Sequence, residues 1–270
     1  MSFKHLLVHV DSTERCAERL DLAFSMARRN GARLTGLFAE SDVLGPGLVG
    51  RRSRDAMLQA MAQARAGFEG RAGGTVAAEW WAIEPGEYGV VVGQAEICCR
   101  YADLAIFGQH DADASRVPED LVDQVVLHAG RPVLVVPSVG RYPEPGRRVL
   151  VSWNGSREAA RALHDALPFL EAAEAVHVLA FQRPPKGVNL MPPLDVVAHL
   201  AAHGVQARYE PVIVDVEEID VADMLLSRGF DLQMDLTVMG GYAHGFPSAR
   251  IAASTRKVLR SMTTPVLISH

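Results

Sequence analysis

The sequence has only three cysteines, Cys16, Cys98 and Cys99. An odd count with two adjacent residues is not a disulfide framework, and no C-x-x-C pair is present to suggest a redox or zinc centre. Cys16 and Cys98 fall at helix positions and read as small core residues rather than nucleophiles. Excess positive charge is lacking as well. The 27 lysines and arginines face 32 aspartates and glutamates, for a net charge of −5. With no basic field to neutralise a phosphate backbone, a nucleic-acid partner is not expected. No apolar run approaches the ~20 residues of a membrane span. The first one, in "MSFKHLLVHVD", stops at Asp11 and is too short for a signal peptide. A cytoplasmic protein with reduced thiols is the expectation. Walker A, G-x-S-x-G, H-E-x-x-H and EF-hand patterns are all missing.

What is present is a repeat. "LLVHVDST" (6–13) matches "VLVSWNGS" (149–156), "DLAIFGQ" (103–109) matches "DLTVMGG" (235–241), and "RPVLVVPS" (131–138) matches "TPVLISH" (264–270). The matches keep the same order in both halves. Between the halves lies "PSVGRYPEPGRR" (137–148), whose prolines and glycines mark a linker. Two domains, 1–140 and 141–270, follow, each of a size that buries a core.

Both halves alternate strand and helix. Short Val/Leu/Ile-rich runs predict strands near 3–10, 32–39, 76–83, 103–107 and 132–136, then 148–152, 175–181, 206–214, 235–239 and 265–269. Cys16, Leu20, Ala23, Phe24 and Ala27 share one helical face in the first half. Ala159, Leu163, Leu167 and Leu170 do so in the second. The alternation predicts α/β architecture with parallel sheets and helices on both faces. The closing strands "PVLVV" and "PVLIS" are short and apolar. As sheet edges they would be aggregation hazards, so we expect the halves to pair through them in a pseudo-twofold chain.

The Asp that ends the first strand, "WNGSREAARALHDALPFL", "MGGYAHG" and the closing "MTTPVLISH" together resemble the universal stress protein family, in its tandem two-domain form. The likeness covers nearly the whole chain. It implies two tandem doubly wound five-stranded sheets in the order 3-2-1-4-5, and a stress-response regulator. Some members bind ATP and others do not. The binding pattern is a Gly after strand four, a Gly three residues on, then after nine more residues a Gly followed by Ser or Thr. In a doubly wound sheet that loop and the loop after strand one meet at the switch point, where glycine amides and a helix N-terminus receive phosphates.

The two copies differ against that pattern. In the first, Gly108 matches but Asp111 takes the second glycine's place, and Glu119 and Asp120 take the Gly–Ser positions. Pro118 is expected at the first helical position, with both acids in the first turn repelling phosphate. In the second, Gly240 matches, Ala243 takes the second position with Gly245 nearby, and Ala252 and Ala253 precede Ser254 and Thr255. Pro247 and Ser248 read as the helix start and cap, which puts Arg250 in an acid-free first turn. Asn154 stands where the family's Asp contacts adenosine; alternatively "NGS" is only a turn and a Ser156 cap. The candidate nucleotide contacts are therefore Asn154, Gly240, Gly241, His244, Gly245, Ser254 and Thr255. The ligand would be ATP or another adenine nucleotide with Mg²⁺, and a homodimer of the tandem chain fits the resemblance.

Three functions stay open. One is a ligand-responsive regulator, and another is an interaction protein of the same fold without nucleotide. The third, an ATP-hydrolysing enzyme, lacks an organised acidic metal site, and Asp235 precedes strand four, at the wrong end of the sheet. "GPGLVG" (45–50) follows a strand too distantly for a dinucleotide turn. His199 and His203 share a helix face, but no third ligand is evident. Trp80 and Trp81 point to opposite faces of a strand.

Overall fold

The structure, a computed structural model, describes residues 2–41, 53–84, 88–111, 116–182, 194–213, 220–241, 243–244 and 250–270. At 243, 244 and 250 it describes the backbone alone. The chain divides into two compact units, Ser2–Glu144 and Pro145–His270.

The first unit runs β1 (His5–Val10), α1 (Cys16–Asn30), β2 (Arg33–Phe38), α2 (Arg54–Ala72), β3 (Ala78–Ala82), α3 (Tyr88–Cys99), β4 (Leu104–Gly108), α4 (Leu121–His128) and β5 (Val133–Val136). Its strands pair in parallel in the order β3-β2-β1-β4-β5. The second unit runs β6 (Arg148–Trp153), α5 (Arg157–Asp165), α6 (Leu167–Leu170), β7 (Ala175–Gln182), α7 (Val196–Ala202), β8 (Ala207–Ile213), α8 (Val221–Asp231) and β9 (Leu236–Gly240). Two short strands follow, β10 (Ala243–His244) and β11 (Arg250–Ile251), then α9 (Ala253–Ser261) and β12 (Val266–Ser269). Its order, β8-β7-β6-β9-β12, repeats that of the first unit. The α/β class, the strand positions and the doubly wound order follow the sequence reading.

Burial explains the composition of the strands. β5 and β12 are buried at every residue, in keeping with their apolar composition. The outer strands β3 and β8 have residues open to solvent and carry Glu79, Tyr209 and Glu210. Cys16, Leu20, Ala23, Phe24 and Ala27 are all buried on α1. That helix stops at Gly31, whose φ of 58° lets its N–H reach back to the carbonyls of Ala27 and Arg28. The apolar face of Ala159, Leu163, Leu167 and Leu170 is buried too, but it spans two helices. The break comes at Ala166, with Pro168 in the first turn of the second helix, where it needs no hydrogen bond.

One device recurs in both units. Asp103 stands just before β4 and accepts the amides of Lys4 and His5 at 2.7 and 2.9 Å. Asp235 stands just before β9 and accepts the amides of Gly146, Arg147 and Arg148 at 2.9, 3.2 and 3.0 Å. Each carboxylate pins the start of the first strand of its unit. Asp235 thus has a structural task at the end of the sheet opposite the switch point.

Gly36, in the middle of β2, lies under the buried ring of Phe68: a Cβ there would come within 2.8 Å of it. Phe68 is tilted against Phe24 and Trp80, so it has little room to retreat. Gly36→Ala should therefore cost about 1–3 kcal/mol by overpacking, read as a lower urea midpoint, and Phe68→Leu in the same chain should recover part of it. An unchanged midpoint in the single variant would show that this contact is loose.

Candidate functional site

In the second unit the switch point lies between β6 and β9, whose connections leave towards opposite edges. Asn154 follows β6, Gly240 ends β9, and Ser254 and Thr255 lie in the first turn of α9. Asn154 is exposed, and its Oδ1 accepts the amide of Ser156 at 3.0 Å. Ser156 in turn caps α5, its Oγ accepting the amide of Ala159 at 3.2 Å. "NGS" is thus a turn and a cap, and the turn uses only the oxygen of the Asn154 carboxamide.

Both glycines have structural work. A Cβ on Gly240 would lie 2.6 Å from the Ala159 nitrogen and the Glu158 carbonyl carbon, so the start of α5 is seated on this residue. The Gly241 amide donates to the Ser269 carbonyl at 2.7 Å, and the Gly241 carbonyl accepts from the His270 Nδ1 at 2.8 Å. Gly241 therefore has no amide to offer a phosphate, contrary to the role given it from sequence.

The helix start also differs from the sequence expectation. Residues 250–251 form β11, paired antiparallel with 243–244, and α9 begins at Ala253. Arg250 therefore belongs to a strand and not to the first turn, because Ile251 is 3% exposed and anchors that strand. Ala252 is the N-cap residue, with φ −59° and ψ 152°, and has no side chain with which to cap. The first turn carries no acid, Ser254 is exposed, and Thr255 is buried. Uncapped amides with the helix dipole behind them form an anion-receptive end. His244 is placed by its backbone in β10, beside Arg250. Gly245, Pro247 and Ser248 lie outside the described residues, as does 45–50.

The first unit fills the equivalent position with its own side chains. Asp11, after β1, accepts the Thr13 amide at 2.9 Å, the Thr13 hydroxyl at 2.5 Å and the Arg19 Nη2 at 2.7 Å. The Arg19 Nε donates to the His9 carbonyl at 2.8 Å. Arg19 and Asp11 are 3% and 6% exposed. Burial alone would raise the Asp11 carboxyl, but the Arg19 guanidinium, with help from His9 and Thr13, holds it below its ordinary value. A Cβ on Gly108 would lie 2.1 Å from the Arg19 Nη1, so the glycine makes room for a guanidinium. His9 is stacked on Phe107 at 5.1 Å, and its Nε2 donates to the Ala39 carbonyl at 2.9 Å. Burial pushes this imidazole down to about 4, so it stays neutral.

Here too a helix starts later than expected. Leu121 opens α4 and its amide bonds to the Pro118 carbonyl at 3.1 Å, so Pro118, Glu119 and Asp120 form a turn ahead of the helix. The Asp120 carboxylate does not cap α4. It accepts the Tyr88 hydroxyl and, at 3.3 Å, the Gln124 Nε2. Burial first, and the Asp120 bond next, push the Tyr88 phenol up to about 12. A cleft of about 570 Å³, open solvent included, lies at this end of the unit.

Arg19 was missed in reading the sequence, although a signal exists. It falls three residues after Cys16 and four before Ala23, within the buried face of α1, where a charge requires a partner. His199 and His203 stack edge-to-face at 5.0 Å. Among the described residues no three His, Cys, Asp or Glu side chains gather to hold a metal, and no helix is long and apolar enough to cross a membrane.

A model of the universal stress protein family matches residues 146–270. Among solved structures the chain is similar to a universal stress protein from Archaeoglobus fulgidus DSM 4304, with TM-score 0.67 and 14% identity over 98% of this chain and 95% of that one. It is also similar to a functionally unknown protein from Pseudomonas aeruginosa PAO1, with TM-score 0.60 and 17% identity over 99% and 92%. At these identities the likeness establishes the fold through both units. A sequence search of curated proteins gives no match.

His9 makes stability depend on pH. Its folded pKa of about 4 lies below the ordinary 6.5, so between those values the unfolded chain binds the extra proton. Its contribution is complete above about 6.5 and is lost as the pH falls towards 4, with a slope of roughly 1 kcal/mol per unit at most. Urea melts from pH 7 to 4 should show a shallower decline for His9→Gln than for the wild type. Parallel profiles would refute the assignment.

Proposed function

We propose, from the match of a universal stress protein family model to residues 146–270, that this chain is a tandem, non-catalytic regulator whose second unit binds an adenine nucleotide. The observation that carries the proposal is the bare start of α9, with an alanine at the cap position and no acid in the first turn. α5, α7 and α8 are each capped by a side chain, Ser156, Asp195 and Asp220. The α9 amides would receive the phosphates with the Ser254 hydroxyl beside them. Asn154 would meet the adenosine, and His244 and Gly245 would be further contacts to the phosphates. Mg²⁺ would travel with the phosphates and screen their charge. Gly240 supports the site by seating α5, and Gly241 by fixing the end of β12. In the first unit the Arg19–Asp11 pair leaves the corresponding carboxylate no capacity for adenosine, so one nucleotide per chain is proposed.

A second reading is an interaction protein that needs no nucleotide. It is favoured by the packing tasks of Gly240 and Gly241, which account for both residues without a ligand.

Those tasks make Gly240→Val a poor test, since a Cβ would strike the α5 backbone. Ser254→Asp separates binding from folding. An acid in the first turn of α9 should leave stability unchanged or raise it by about 0.3–1 kcal/mol, while like charge should weaken calorimetric ATP·Mg²⁺ binding roughly tenfold or more. Absence of ATP binding to the wild-type chain would overturn the first reading and favour the second.

A further inference from the structure

α3 is apolar on both of its faces. Val91, Val92, Ala95 and Cys99 are buried. The opposite face carries Val90, Gln94, Ile97 and, just past the helix end, Tyr101, spaced three or four residues apart along one stripe. Val90, Ile97 and Tyr101 are 50%, 51% and 70% exposed. A helix that is apolar all round calls for cover on both sides, and a contiguous exposed apolar stripe marks an interaction surface. Gly93 lies on the same face in mid-helix, where glycine is less favourable than alanine. Nothing among the described residues requires it, since a Cβ there would meet no atom within 4 Å. A second helix packed closely on this face would require it.

The flank of the stripe that borders α4 is oppositely charged at its two ends. At the start of α3 the Tyr88 hydroxyl donates to the Asp120 carboxylate, and Glu119 is close enough to act on the same phenol. At the other end the exposed Arg100 donates to the His128 carbonyl at 3.4 Å, and the exposed Arg131 donates to the Arg100 carbonyl at 3.2 Å. The 12 residues of α3 hold these two ends about 18 Å apart. A twofold axis across the middle of α3 would lay two copies of it antiparallel and bring the acidic end of each against the basic end of the other. A twofold interface needs such self-complementarity. Gln94 falls near that axis, where a carboxamide, both donor and acceptor, can pair with its own copy. We propose that two copies of this chain associate through α3, antiparallel, with Val90, Ile97 and Tyr101 at the apolar centre and Arg100 and Arg131 of each copy facing Glu119 and Asp120 of the other. This surface belongs to the first unit and does not depend on the nucleotide site proposed for the second.

The test is sedimentation velocity of the full chain over a concentration series. A helix pair is at the small end of specific interfaces, so a reversible dimer dissociating in roughly the micromolar range is expected. Ile97→Asp, at an exposed position, should leave the urea midpoint of the monomer unchanged and weaken dimerisation about tenfold or more. Gly93→Leu should raise the midpoint of the dilute, monomeric chain and yet weaken dimerisation, opposite effects that a folding defect would not produce. Arg100→Glu should weaken dimerisation, and adding Glu119→Arg to the same chain should restore it, because the two side chains meet only between copies. A chain that stays monomeric throughout the series would overturn the proposal and leave the stripe to a different protein. Dimers that survive both Ile97→Asp and Gly93→Leu would overturn it in favour of another surface. Failure of the double charge reversal to restore association would overturn the antiparallel arrangement.

Discussion

Parallel pairing is the constraint from which the rest of each unit follows. A parallel strand can be entered only from the same end as its neighbour, so every connection crosses back over a face of the sheet. All strand carboxyl ends then gather at one end of the unit. The first and fourth strands, β1 with β4 and β6 with β9, are neighbours whose chains depart in opposite directions. A crevice at that point is a product of the winding, whatever side chains line it. At the opposite end Asp103 and Asp235 fasten the first strand of each unit to the residue before the fourth.

The two units show how one crevice accepts opposite solutions. In the first, Asp11 and Arg19 satisfy each other inside it, and two hydrogen bonds from Thr13 complete the carboxylate. Such a pair does not imply high stability, because taking both charges out of water offsets much of their attraction. Its effect is to fix what stands in the crevice. In the second unit the counterpart of Asp11 is Asn154, an exposed neutral side chain, and the helix start nearby is left without a cap.

The fold was legible because it rests on periodicity. The buried positions of α1 and the fully buried runs of β5 and β12 follow from one side chain after another, with no long-range knowledge needed. The site was less legible because it rests on contacts between distant segments. Ser248 and Pro118 carry good local signals for helix starts, yet α9 begins at Ala253 and α4 at Leu121. In α9 the burial of Ile251 in a two-residue strand overrides local propensity. The Gly241 amide was unavailable for a reason no motif contains, a bond to a residue 28 positions later. Arg19 was legible in principle, as a charge on an apolar face, but its partner Asp11 had already been given another role.

Gly240 and Gly108 hold the same place in the repeat and lack a side chain for different reasons. One is bare so that the backbone of α5 can rest on it, the other so that the Arg19 guanidinium can lie beneath it. Neither reason involves a phosphate. A lineage could lose every trace of its ligand and still find both positions closed to any other amino acid. The glycine of a nucleotide fingerprint then records the steric history of a scaffold, and competence has to be sought in the residues free to change around it.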